Sequence, residues 1–97
     1  MDKKDLYVEK MKAQLDLWAD ELEQMEAQAH MAEAELKIRY LDQLETLRQQ
    51  REKARRQLTR IRESGDEAWE ELKTGTDAAW DDIREAFARA RDKLNNK

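Results

Sequence analysis

Proline is absent from the 97 residues, and glycine occurs only at Gly65 and Gly75. These two residue types punctuate turns, so the chain has few obvious places to reverse. Cysteine is also absent, which excludes disulfide frameworks and thiolate chemistry. Large hydrophobic residues are few: 13 of the 38 hydrophobic residues are alanine, and the remaining 25 are too few for a thick globular core but enough to line a helix seam. No stretch approaches the roughly 18 apolar residues of a membrane span. The opening Met1-Asp2-Lys3-Lys4-Asp5 leads into no apolar h-region, so no secretory signal is expected. A soluble, cytoplasmic protein of one domain is the expectation.

Charge is plentiful instead, at 43% of residues. A chain rich in Ala, Glu, Lys, Leu and Arg is what long helices and coiled coils show. Disorder has a similar signature, and periodicity separates the two. From Val8 the apolar residues step 3-4-3-4: Val8, Met11, Leu15, Trp18, Leu22, Met25, Ala29, Ala32, Leu36. A disordered acidic segment has no reason to keep that phase, whereas a coiled-coil seam requires it.

The phase then slips, because Leu36, Tyr40 and Leu44 are spaced 4-4 before Leu47 restores a step of 3. Such an insertion unwinds a left-handed supercoil locally. No glycine, proline or turn cluster lies nearby, so one helix is expected to run through it. The seam continues as Leu44, Leu47, Arg51, Ala54, Leu58, Ile61. Arg51 sits at a core-like position, from which its long stem is expected to snorkel to water.

The first break is expected at Ser64-Gly65-Asp66-Glu67. Gly65 suits a left-handed C′ position, and Ser64 with Glu67 fits a capping box. The first helix would then span about residues 4–63, roughly 90 Å at 1.5 Å per residue. Beyond the break Asp66-Glu67-Ala68-Trp69 is echoed eleven residues later by Asp77-Ala78-Ala79-Trp80. Eleven residues make three helical turns. Trp69, Leu72, Thr76, Trp80, Ile83, Phe87, Ala90 and Leu94 therefore share one stripe of an amphipathic helix over about residues 67–94. Gly75 lies on its polar side, where a kink is possible.

The fold class expected is all-α. A long coiled-coil helix fills residues 1–63 and a shorter amphipathic helix fills 64–97. They form an antiparallel hairpin, an antiparallel dimer, or both.

The charges are sorted in blocks that bear on this choice. Residues 13–35 hold seven acids and no Lys or Arg; residues 48–62 hold seven bases and one acid, Glu52; residues 63–85 hold nine acids and two bases. A parallel dimer would set Glu21 against Glu26 of the second chain. An antiparallel dimer centred near Tyr40 and Leu41 instead pairs Glu33 with Arg48 and Glu26 with Arg55. In the rival arrangement the chain folds back at Gly65 and lays its acidic end on its basic middle. The hairpin alone would leave the Val8–Leu36 seam bare, and long bare apolar patches mark interfaces. A homo-oligomer, most simply a dimer, is expected through Val8, Met11, Leu15, Trp18, Leu22, Met25, Leu36, Tyr40, Leu44, Leu47, Leu58 and Ile61.

No residue pattern points to chemistry. His30 is the single histidine, flanked by Glu26 and Glu33, and faces water at a heptad b position. The Glu-x-x-His pattern of di-iron bundles fails because Ala27 stands where the Glu would be. Ser64, the single serine, reads as a turn residue, and the acid pairs Glu70/Glu71 and Asp81/Asp82 read as a solvated face. Catalytic, cofactor and metal residues are therefore not assigned. The basic run Arg48–Arg62 would suit nucleic acid, but it lacks aromatics and the chain's own acids compete for it. Trp69, Trp80 and Phe87 with Lys73, Arg84 and Arg91 would suit a membrane surface, although the acids of 66–85 oppose anionic lipid.

The start Tyr7 to Met11, the long charged heptad helix, and the segment Gly65-Asp66-Glu67-Ala68-Trp69-Glu70-Glu71-Leu72-Lys73-Thr74-Gly75 carry a resemblance. With Ala79-Trp80, Ile83 and Phe87, they resemble a group of small, mostly uncharacterised bacterial coiled-coil proteins, some loosely associated with stress. The resemblance covers most of the chain. It implies no enzyme activity and carries no site residues. The eleven-residue repeat is also similar to the helices of apolipoproteins and desiccation proteins. A self-associating structural or scaffold coiled coil is the preferred function. A stress-related amphipathic protein on membranes and a nucleic-acid binder through 48–62 are the alternatives. An unidentified protein partner remains compatible with the first.

Overall fold

The computed structural model describes residues 2–95. They form three helices, α1 (Lys3–His30), α2 (Ala34–Glu63) and α3 (Ala68–Asn95). Asp2 opens α1 as an N-cap, its carboxylate accepting from the Asp5 amide at 2.9 Å. That bond satisfies one of the orphan donors of the first turn. The helices lie side by side in a rod of 51 × 20 × 18 Å. Contacts between α1 and α2 run in opposite directions along the two helices, as with Arg51 to Leu15 and Lys4 to Ser64. Those between α1 and α3 run in the same direction, as with Tyr7 to Asp77 and Arg91 to Glu21. The path is up, down, up.

The single helix over 4–63 is corrected: the chain turns at Met31–Glu33. Met31 and Ala32 donate to Gln28 and Ala29 in a tight last turn, and Glu33 is extended at φ −61° and ψ 155°. Burial explains why residues with good helix propensity turn there. One long helix leaves its seam in water. Folding back covers Met11, Leu15, Trp18, Leu22 and Met25, all buried. Each is worth about 1.5–3 kcal/mol when fully buried. The few backbone bonds interrupted over three residues are worth about 0.5–1.5 kcal/mol each. Burial wins. The 4-4 slip at Leu36–Tyr40–Leu44 thus follows the start of a second helix, not a stutter within one.

The break near Gly65 occurs where the glycine places it, but by other means. No residue, glycine included, has a positive φ among the described residues, so Gly65 is not a left-handed cap. Ser64 ends α2, its hydroxyl donating to the Ile61 carbonyl at 2.6 Å. The Gly65 carbonyl accepts the first α3 bond from Trp69 at 3.2 Å. The capping-box role given to Ser64 is replaced by this bond back to α2. α3 runs unbroken through Gly75.

The seam that was expected to need a second chain is internal. Trp18 lies 5.8 Å from Trp80 and 5.3 Å from Phe87, ring centre to ring centre. Aromatic pairs at this spacing add about 0.5–1.5 kcal/mol beyond area burial. The Trp69, Trp80, Ile83 and Phe87 face of α3 is buried in the same molecule, while Leu72 and Leu94 are half-buried.

Candidate functional site: the two ends of the bundle

The three helices meet at a tied end and an open end. At the tied end the start of α1 lies against the end of α2 and the start of α3. Lys4 Nζ donates to the Ser64 carbonyl at 2.8 Å. A cation there satisfies an unpaired carbonyl and complements the negative end of the α2 dipole. The Tyr7 hydroxyl donates to Asp77 Oδ1 at 2.7 Å, its ring sits 5.8 Å from that of Trp69, and Lys73 Nζ lies 5.6 Å over it. Burial, reinforced by the hydrogen bond to the Asp77 carboxylate and its charge, holds the Tyr7 phenol well above its ordinary value. The phenol is thus a hydrogen-bond donor fixed in its neutral form.

Midway along the rod the charge blocks meet within one chain. Arg48 donates to Glu26 at 2.9 Å and to Glu45 at 2.6 Å. The expected register, Glu26 with Arg55 and Glu33 with Arg48, is not the one present inside the chain. Arg55 is held by Glu52, whose carboxyl that hydrogen bond draws below the usual carboxylate range. Glu33 opens α2. Arg51 is half-buried and donates through Nε to the Leu15 carbonyl at 2.8 Å, so its head ties α2 to α1 and does not simply snorkel. Arg91 reaches Glu21 at 2.6 Å. The pairs are exposed or partly so, and each contributes about 0–1 kcal/mol. They favour register over strength.

The open end is built from the Met31–Glu33 turn, the start of α2 and the end of α3. A cleft of about 410 Å³ is lined by Gln28, Met31, Ala32, Glu33, Leu36, Tyr40 and Leu94. Met31 is 87% exposed, Ile38 64% and Leu36 41%. Among the described residues these are three of the five large hydrophobics that face solvent; Met31 and Leu36 line the cleft, whereas Ile38, two residues on from Leu36, lies on another side of α2. The only side-chain hydrogen bond between α1 and α3 here, among the described residues, runs from Gln28 to Asn95 at 3.4 Å. Of the expected interface residues, Leu36 is exposed, Val8 and Tyr40 are half-buried, and Met11, Leu15, Trp18, Leu22, Met25, Leu44, Leu47, Leu58 and Ile61 are buried inside the chain. The exposed Met31 and Ile38 were missed because they lie off the heptad stripe.

His30 is exposed, with Nε2 3.9 Å from Glu26. Among the described residues no three His, Asp or Glu side chains converge as metal ligands. A second groove, between α1 and α2, is lined by Lys12, Arg51, Arg55 and Arg62, with Asp16 among them. The arrangement defines a small all-α protein of three packed helices with an apolar end. No family model, curated protein or solved structure matches the chain.

Proposed function

We propose that this chain is a non-enzymatic, self-associating helical protein with a structural or scaffold role, and that the open end is where it associates. The observation that carries the reading is the pair of exposed residues Met31 and Leu36, which line an apolar cleft together with Tyr40 and Leu94. Clustered exposed apolar residues mark interaction sites, whereas single ones are ordinary. A cytoplasmic location belongs to the same proposal. None of the described helices is long and apolar enough to cross a membrane. The membrane-surface reading loses support in the closed bundle, because Trp69, Trp80 and Phe87 face inward. The nucleic-acid reading is weakened by the engagement of Arg48 and Arg55 with carboxylates.

Sedimentation from micromolar to millimolar concentration tests the reading. A concentration-dependent dimer is expected, and Met31→Glu with Leu36→Glu should weaken it at least about tenfold, the equivalent of about 1.4 kcal/mol. A species that stays monomeric throughout would remove the proposal.

A further inference from the structure

We propose that the Met31–Glu33 turn is a hinge, and that the association takes place by exchange of α1 between two copies of this chain. This rests on the self-association reading above and names its geometry. Four observations support it.

The turn lacks any device that makes a turn permanent. Met31, Ala32 and Glu33 are all good helix formers. None has a positive φ, and Glu33, at the N-cap position of α2, makes no side-chain capping bond. A straight helix through this segment would bond the amides of Ala34, Glu35 and Leu36 that here lack a cap. Nothing in the backbone resists straightening.

The buried stripe stays in phase across the hinge. Met11 and Ile61 are 50 residues apart, about 14 turns at 3.6 residues per turn. Ala29, Ala32 and Leu36 would continue the stripe between them. A straightened α1–α2 therefore shows one continuous apolar face to a second such helix.

Every contact released by opening is available from a second copy. Glu26 meets Arg48 inside the chain, Leu15 meets Arg51 and Lys4 meets Ser64, with residue numbers summing to 74, 66 and 68. Two antiparallel long helices crossing at about residues 33–37 make the same pairs between chains. Arg51 to Leu15, Tyr7 to Asp77 and Trp18 to Trp80 and Phe87 would be reformed likewise. Such exchange is a low-cost route to dimers because native contacts are reused.

The fourth observation decides the occupant. Leu36 is 41% exposed in the closed chain although it lies on the buried stripe. In the crossed dimer the two hinges lie against each other, so Leu36 of each copy meets the stripe of the other. The exchange covers the seam residue that the closed chain leaves open.

The chain's lack of cysteine makes the test direct. Cysteines placed by Glu26→Cys and Arg48→Cys in one chain are joined by a short thiol crosslinker in separated monomer and dimer fractions. Links within the chain are expected in the monomer and links between chains in the dimer. Ala34→Pro is the second arm. Proline suits the first position of a helix, and the extended Glu33 before it suits proline. The closed chain should therefore keep its helicity and melting temperature. Within a straight helix the same proline is strongly disfavoured, so dimerisation should weaken at least about 100-fold. A dimer with links only within chains, or one unaffected by Ala34→Pro, overturns the exchange and leaves self-association standing. Absence of any dimer overturns both. Should Ala34→Pro itself melt early, Glu33→Ser, which supplies the missing cap, is expected to shift the balance to monomer roughly fivefold; no shift counts against the hinge.

Discussion

The tied end and the open end are built from the same kind of helix, yet they are held by different means. At the tied end Lys4, Tyr7, Ser64, Trp69 and Asp77 join three elements through directed bonds and ring contacts. At the open end the elements share apolar surface and one long amide contact. Directed bonds specify one arrangement, whereas apolar surface accepts several. In this molecule the register of the helices is set by bonds at the first and left to apolar contact at the second.

Truncating one residue at each end gives the largest contrast. Trp69 is buried, and Trp69→Ala is expected to destabilise by about 3–5 kcal/mol, the usual range for a core Trp or Phe. Leu36→Ala at the open end should cost under about 1 kcal/mol, since that side chain is partly solvated. Urea unfolding followed by helicity measures both, and equal losses would erase the distinction between the ends.

A smaller effect is expected from Tyr7→Phe, about 1–3 kcal/mol, because Asp77 loses a hydrogen bond made to a charged group. The folded phenol ionises above its ordinary value near 10.0. The stability it contributes is therefore fully present below that pH and is lost as pH rises through the folded value. Wild-type stability should fall from pH 10 upward, and Tyr7→Phe should lack that component. Matching profiles for the two proteins would show that the phenol is not held as described.

The smallest effect belongs to the two glycines. Neither has a positive φ, and an added Cβ would meet nothing within 4 Å at either. Gly75→Ala, inside α3, should raise stability by about 0.8–1 kcal/mol. Gly65→Ala, outside a helix, should change it by less than about 0.5 kcal/mol. Thermal melts resolve the difference, and a large loss at Gly65 would mean that the tied end depends on its turn as well as its bonds.

These contrasts explain what could be read in advance. The Ser64–Gly65 break was legible because a serine and a glycine stand together in a chain with almost no other turn residues. The Met31–Glu33 turn was not, because each residue there favours a helix and only contacts made far along the chain reverse that preference. The nearby trace of it was the shifted spacing at Leu36–Tyr40–Leu44. The α3 face was legible from its eleven-residue period, and Trp80 and Phe87 do lie inward. Their packing on Trp18 was hidden, since it needs α1 and α3 aligned in parallel. Glu26 and Arg48 were both recognised as pairing residues, but each was assigned a different mate. A register within one chain depends on where that chain turns, and the turn was the unread element.

The backbone holds no left-handed residue at any described position, and this has a consequence for how such a molecule could be enlarged. Corners that need no special residue can follow wherever the stripes end. Adding seven residues to each helix would lengthen the rod by about 10.5 Å and leave both corners chemically unchanged. Length is then an adjustable dimension of the design, and relatives of different span could be built on one plan.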